Sequence, residues 1–441
     1  MSADIRALAA AARQASQQLS SATEEQRDNA LAAISRALQE NEERIVTANA
    51  QDIAEAEKLV ASGELGEPLL KRLSLGGSKF IGVIDMVESV ASQPDPLGAT
   101  QSAVELDKDL NLFCISVPIG VIGVIFESRP DALVQIATLC LKSGNAILLK
   151  GGSEASRSNR VLADLIAAAT DGMEGIPSGW IALLEGREEV RALLDLDQDV
   201  DLIIPRGSNE FVQYIMNNTR IPVMGHADGI CHVYVDSGAD IDKAVRVAVD
   251  SKTQYVAVCN AAESLLVHAD IAAPFLAAAI PALQTQNVEL RGDERVRELA
   301  GGDLQPATEE DWHTEYLDLI YSIKIVDNLE EAVAHINHYG SHHTDAILTE
   351  DRQAALQFLR TVDSSSVMHN ASTRFADGFK YGLGAEVGVS TNRLHSRGPV
   401  GLEGLTIYKY ILEGDGQIVD TYDGPEHRPF THRRLDTIWP D

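Results

Sequence analysis

From residue 120 onward, short apolar runs alternate with stretches of helix length, and this alternation constrains the fold more than anything else in the chain. The runs "GVIGVIF", "AILLK", "WIALLE" and "VDLIIP" read as strands, separated by helical segments from Pro130 through Lys142, from Ser153 to about Ala169, and in "EEVRALLDL". Strands that are apolar throughout are buried on both faces, and helices between them act as crossovers joining parallel neighbours. A second series follows in "HVYVD", "AESLLVH", "LDLIYSIKIVD", "DAILT" and "SSVMHN". The expected fold class is α/β, with two Rossmann-like parallel-sheet domains.

The flanks read differently. Residues 1 to about 90 have helical spacing with start signals such as Ser21 and Thr23 before Glu24. In "SAVELDKDLNLFCISVP" the period is near two and "DKD" is a turn, which predicts a hairpin. Beyond about Phe375 the chain turns Gly-rich, passes through an extended "LTIYKYIL" and trails into a tail that is loop-like by composition. The expected division is a cofactor-binding domain over residues 1–97 and 118–235 and a catalytic domain over 236–370. An oligomerisation hairpin, strand and closing segment occupy 98–117 and 371–415, and a C-terminal tail without assigned function spans 416–441.

With 441 residues the chain is long enough for more than one core. Its 66 acidic residues against 36 basic ones give a formal charge of -30, which repels nucleic acid and anionic lipid. Neither is an expected partner, and an anionic ligand needs a local basic pocket. Cys114, Cys140, Cys231 and Cys259 are widely spaced, without a CxxC, which fits a reducing compartment. The start "MSADIRALAAAARQASQQL" reads as an Ala-rich helix and not an export signal, and "CISVPIGVIGVIF" is too short to span a bilayer. The expected location is cytoplasmic.

Several familiar motifs are missing: a GxxxxGK[ST] loop, HExxH and GxSxG. "GLGAEVG", Gly382 to Gly388, imitates a dinucleotide fingerprint but lacks its spacing and its βα context, so it reads as a loop. In "HINHYGSHHTD", His335 and His338 lie one helical turn apart, yet nothing fixes a four-ligand geometry and no metal is expected. A cysteine in an apolar setting is usually core material. That reading fits Cys140 on a helix and Cys114 in a strand; Cys231 cannot pair with His232, because neighbours in a strand point to opposite faces. Cys259 follows the polar "SKTQ" and sits among small residues that leave room for a substrate carbonyl, so on the residues alone it stays open between filler and nucleophile.

Four stretches, taken together, resemble the aldehyde dehydrogenase superfamily, and within it the gamma-glutamyl phosphate reductase branch. "VPIGVIGVIFESRPDAL" is similar to the entry strand and loop of its cofactor domain, "GNAILLKGGSEAS" to its ribose-binding strand, "QYVAVCNA" to its nucleophile loop and "RGPVGLEGLTIYKY" to its closing segment. The branch is carried by "VDNLEEAVAHINHYGSHHTDAI", Val326 to Ile347. The resemblance implies that Cys259 is the nucleophile. It implies NADPH-dependent reduction of L-glutamyl 5-phosphate to L-glutamate 5-semialdehyde through a cysteine thioester, the second step toward proline. NADP is the implied cofactor, with Lys150, Gly152, Ser153, Ser208 and Glu315 as its contacts. Ser128, where the wider superfamily has Asn, is the implied side-chain oxyanion donor beside the Cys259 N–H. Arg129, Arg206, Arg393 and Arg397 lie in loops expected to face the cleft and suit an anionic substrate. Where hydrolytic relatives carry a base in "ELGG", this chain has "VMGHADGICHVYVD" without Glu, which suppresses water attack; His226 there is a candidate proton carrier. A homo-oligomer is implied, with glutamate 5-kinase as functional partner. The rival readings are a hydrolytic NAD-dependent aldehyde dehydrogenase and an inactive scaffold.

Overall fold

The computed structural model describes residues 2–63, 70, 72–127, 129–185, 187–207, 209–225, 228–301, 304–423 and 427–440, with the backbone alone for 2–4, 187 and 188. Ser128, Ser208 and His226 lie outside the described residues.

The antiparallel strands β1 (Thr100–Asp107) and β2 (Leu110–Pro118) form the expected hairpin. Its turn is Lys108 and Asp109, the latter with φ of 57°, a left-handed conformation that Asp tolerates better than most residues. The chain then builds a four-stranded parallel sheet from β3 (Val121–Phe126), β4 (Ala146–Gly151), β5 (Ile181–Leu184) and β6 (Leu202–Arg206) in the order β5-β4-β3-β6. Every residue of β3 and β4 is buried, and burying each aliphatic side chain of this size is worth about 1.5–3 kcal/mol. The helices Pro130–Lys142 and Ser156–Thr170 follow β3 and β4 and pack on each other, whereas Arg187–Leu194, after β5, packs with the N-terminal helix Ser2–Leu19. Strand order reverses at β3. Right-handed crossovers therefore put the two helix pairs on opposite faces and open a crevice beyond the carboxyl ends of β3 and β6.

A seven-stranded parallel sheet follows, made of β7 (Cys231–Val235), β8 (Ala262–His268), β9 (Glu289–Gly292), β10 (Gln305–Pro306), β11 (Ile320–Val326), β12 (Thr344–Leu348) and β13 (Ser366–His369). Their order is β10-β9-β11-β8-β7-β12-β13. This sheet begins at Cys231, so its first strand precedes residue 236. The short pair β14 (Val389–Ser390) and β15 (Gly398–Pro399) belongs to the segment that closes the cleft. "GLGAEVG" is a loop, leading into β14.

Strand β16 (Thr406–Glu413) pairs with β2, and β17 (Arg433–Leu435) pairs with β1, giving the order β16-β2-β1-β17. The tail is thus part of a sheet, where its composition suggests loop. Its contacts are long-range: Tyr422 donates to Asp107 at 2.9 Å, Phe430 stacks on Tyr422 at 4.4 Å, Arg433 grips Glu105 at 2.8 and 2.9 Å, and Trp439 donates to Glu413 at 2.7 Å.

Candidate active site

A cavity of about 1210 Å³ lies in the crevice at the ends of β3 and β6 and reaches to the loop before β8. Glu127, Arg129, Arg206, Cys259 and Glu315 are among its lining residues, and Gly388 closes it. Its size exceeds the usual range for a single small ligand, which leaves room for a dinucleotide and a short substrate together.

Cys259 sits in a turn that closes with an Ala261 N–H donating to the Val258 carbonyl at 3.1 Å, just before β8. It is half-buried, whereas the other three cysteines are buried; burial pushes the Cys140 and Cys231 thiols well up and keeps them protonated. Cys231 and His232 do point apart. The Cys231 thiol donates to the Cys259 carbonyl at 3.2 Å, while His232 holds Asp345 at 2.8 Å.

The turn rests on glycine. A Cβ at Gly229 would lie 2.2 Å from the Cys259 carbonyl oxygen and 2.4 Å from its Cα, so no side chain fits without moving the turn. We expect Gly229→Ala to lower kcat by about 10²-fold, the scale of misplacing a reacting group by about an ångström, and to destabilise the fold by about 1–3 kcal/mol through overpacking. Steady-state kinetics with thermal melting checks this, and an unchanged kcat would show that the turn tolerates displacement.

Arg206, at the end of β6, is half-buried in the cavity, and no carboxylate lies within ion-pair distance of it among the described residues. Burial and the neighbouring Arg129 charge lower its pKa, and attraction to the Cys259 thiolate opposes that. Its guanidinium lies so close to Gly388 (φ 148°) that a Cβ there would meet Nη1 at 2.2 Å. Arg129 also lines the cavity, but leans on Asp131 at 3.0 Å. Arg393 and Arg397 are elsewhere engaged: both close on Asp363, Arg397 at 2.9 Å. Neither lines the cavity.

Glu315 reaches the cavity just ahead of β11 and accepts from Asn209 at 2.9 Å. Lys150 is buried at the end of β4 and donates to the Gly151 carbonyl at 2.5 Å. Gly152 turns the chain, and Ser153 starts a short 3-10 helix. The first N–H groups of the following α-helix are already taken, since Asp52 accepts from Ser158 N–H at 2.7 Å and from Arg157 N–H at 3.3 Å. A phosphate there has only the Gly152–Ser153 turn itself to use.

Sequence reasoning missed three residues that shape this site. Lys252 and Glu263 form a fully buried pair at 2.5 Å, one on each side of the Cys259 turn. Arg374, on the short helix after β13, donates to Gln254 at 3.0 Å, on the chain leading into that turn. The signal for the first two was available: a Lys and a Glu flanking a cysteine in otherwise buried stretches.

Residues 1–298 match the aldehyde dehydrogenase family, and the chain belongs to that family. Within it, the chain is similar to the gamma-glutamyl phosphate reductases. It is 56% identical to that of Haloquadratum walsbyi over 428 residues, covering 96% of this chain and 93% of that protein. It is 56% identical to that of Pelotomaculum thermopropionicum over 432 residues, 98% of each chain. The crystal structure of the Thermotoga maritima gamma-glutamyl phosphate reductase superposes with a TM-score of 0.90 at 40% identity, covering 94% of this chain and 99% of that one.

Proposed function

We propose that the protein reduces L-glutamyl 5-phosphate to L-glutamate 5-semialdehyde and phosphate, the second step of proline biosynthesis. The observation that carries this reading is the half-exposed Cys259 facing a large cleft in a chain more than half identical to named gamma-glutamyl phosphate reductases. The Cys259 thiolate attacks the acyl carbon, the C–O bond to phosphate breaks, and a thioester remains on the sulfur. A dihydronicotinamide, when bound, would supply the hydride that reduces this thioester to the aldehyde and returns the thiolate to Cys259. The cleft fits that group: it lies at the switch point of a parallel sheet, and Glu315, oriented by Asn209, is presented at its inner wall. We assign NADP as the cofactor, with Lys150, Gly152 and Ser153 toward its ribose phosphate and Glu315 toward its nicotinamide ribose. The oxyanion of each tetrahedral intermediate falls to the Cys259 N–H and to Ser128, and Ser208 completes the cofactor contacts.

Positive charge for the anionic substrate comes from Arg206 and Arg129. Arg393 and Arg397, held by Asp363, serve this reading by fixing the closing segment. The exposed Ile407, Tyr408, Tyr410 and Leu412 on the open edge of β16 support a homo-oligomer joined through that strand. Four free thiols suit a cytoplasmic enzyme, supplied with acyl phosphate by glutamate 5-kinase.

The deciding experiment follows NADPH formation from glutamate semialdehyde and NADP with and without inorganic phosphate. Strict dependence on phosphate is expected. Equal rates in both conditions would establish the hydrolytic reading instead.

A further inference from the structure

We infer that Asp131 makes the site selective for an amino acid: its carboxylate receives the α-ammonium of the substrate, while Arg129 beside it receives the α-carboxylate. This rests on the reading of the reaction given above. Both side chains line the cavity that holds Cys259. Arg129 Nη2 donates to Asp131 Oδ2 at 3.0 Å, and the two side chains remain 41% and 34% exposed. That contact uses a single N–H of the guanidinium and a single oxygen of the carboxylate, which leaves donors on one and an acceptor on the other for a ligand.

The wall that carries the pair is built locally. Pro130 opens the helix Pro130–Lys142 where no N–H is required, so Asp131 stands in its first turn, with Gln135 one turn further along the same face and also on the lining. Beside it the helix Ser78–Ala91 runs in the same direction: the Thr138 hydroxyl donates to the Met86 sulfur at 3.8 Å, and Lys142 donates to the Ala91 carbonyl at 3.3 Å. Val83 and Met86 of that helix face the cavity too. An ion pair next to apolar surface is what a short methylene chain ending in an ammonium and a carboxylate requires. The other carboxylates of the lining are turned toward the strand ends and the assigned cofactor contacts. Glu127 lies against Gly207, Glu154 against Gly152, Glu315 accepts from Asn209 at 2.9 Å, and Glu210 stands on the helix after β6.

Charge pattern decides which end of the substrate goes where. The acyl phosphate end carries negative charge alone, whereas the amino-acid end carries a cation beside an anion. Arg206, without a carboxylate at ion-pair distance among the described residues, suits the first. The Arg129–Asp131 pair suits the second, because each member meets its opposite. Arg206 also feels the charges of Arg129, the Cys259 thiolate and Asp131, in keeping with their shared cavity. An aldehyde lacking the amino group leaves Asp131 facing no cation, and a polar group left unpaired in this way is how a site rejects an analogue that misses one contact.

The test compares L-glutamate 5-semialdehyde with 5-oxopentanoate, the same chain without the amino group, as substrates of the full-length enzyme with NADP and inorganic phosphate. Asp131→Asn should lower kcat/KM for the amino-acid aldehyde about 10-fold or more, the loss expected for a charge-assisted contact, and leave that for 5-oxopentanoate within about 2-fold. Arg129→Gln should weaken both aldehydes alike, since both carry the carboxylate. Reversible cyclisation of the amino-acid aldehyde is common to every variant and cancels in the comparison. Asp131→Ser serves if the Asn variant does not fold, and where 5-oxopentanoate turns over too slowly to follow, its competitive inhibition constant is read in the same way. Equal losses on both aldehydes in the Asp131 variants overturn the proposal, because the carboxylate then acts only through Arg129 or the fold. An unchanged preference between the aldehydes overturns it as well. Failure of the underlying reading looks different: wild-type enzyme would then show no dependence on phosphate with either aldehyde.

Discussion

Replacing Cys259 with alanine will lower the reductase rate by at least about 10⁴-fold, the scale on which removal of a covalent nucleophile acts. The loss should fall on kcat in both directions, with dinucleotide binding retained, because removing one sulfur from the lining of so large a cavity leaves its other walls in place. Stability should scarcely change. The side chain sits in a half-exposed turn, and substitutions in such places commonly stay within about 0.5 kcal/mol. The same exposure predicts selective labelling: with Cys114, Cys140 and Cys231 buried, a thiol reagent added to native enzyme should modify the peptide containing Cys259 and abolish turnover in step. A Cys259→Ala enzyme retaining more than about 1% of wild-type activity would remove the sulfur from the chemistry.

The second large effect is on folding. Lys252→Met should destabilise the protein by about 3–5 kcal/mol near pH 8, because it strands the buried Glu263 without its cation. Burial pushes the Glu263 carboxyl up to about 7, and Lys252 is the strongest influence opposing that rise. Removing the lysine raises it further. A carboxyl whose folded pKa lies above its unfolded value of 4.5 favours the fold at low pH, and that contribution is lost as pH climbs through the folded value. The deficit of the Met variant should therefore be small near pH 5 and grow through neutrality. Pairing it with Glu263→Leu should restore most of the stability, since an apolar pair of similar volume needs no desolvation. Denaturant melts at several pH values check this, and a deficit independent of pH would mean that the glutamate is not the stranded group.

Much of the architecture was legible because it is local. The buried strands β3 and β4 announce themselves through the apolar runs Val121–Phe126 and Ala146–Leu149, and the helix Pro130–Lys142 begins at a proline and ends with Ser143 and Gly144. The capping box at Thr23, completed by Gln26, is written in adjacent residues. What escaped is what depends on distant parts of the chain. β9 and β10 are short and polar; β9 is a strand because β11 offers it an edge, and β10 because β9 in turn offers one. The pairing of Arg393 and Arg397 with Asp363, which draws both away from the cleft, joins residues about thirty apart across a loop. The site behaves in the same way. Cys259 could be singled out from its neighbours and its family likeness, but the bonds of Gln254 with Arg374 and of Asn260 with the Ala376 carbonyl, which brace its loop, join residues over a hundred positions apart.

The flap sheet has a consequence for how the chain is made. β1 and β2 leave the ribosome early, yet the strands that flank them come from the far end: Thr431 closes on Glu105 across 326 positions. At ordinary elongation speeds of roughly 5–20 residues per second, the hairpin waits on the order of tens of seconds with both margins bare. Completion of this sheet accordingly waits on synthesis of all the chain between, and until then the nascent hairpin is a stretch on which a chaperone would be most needed.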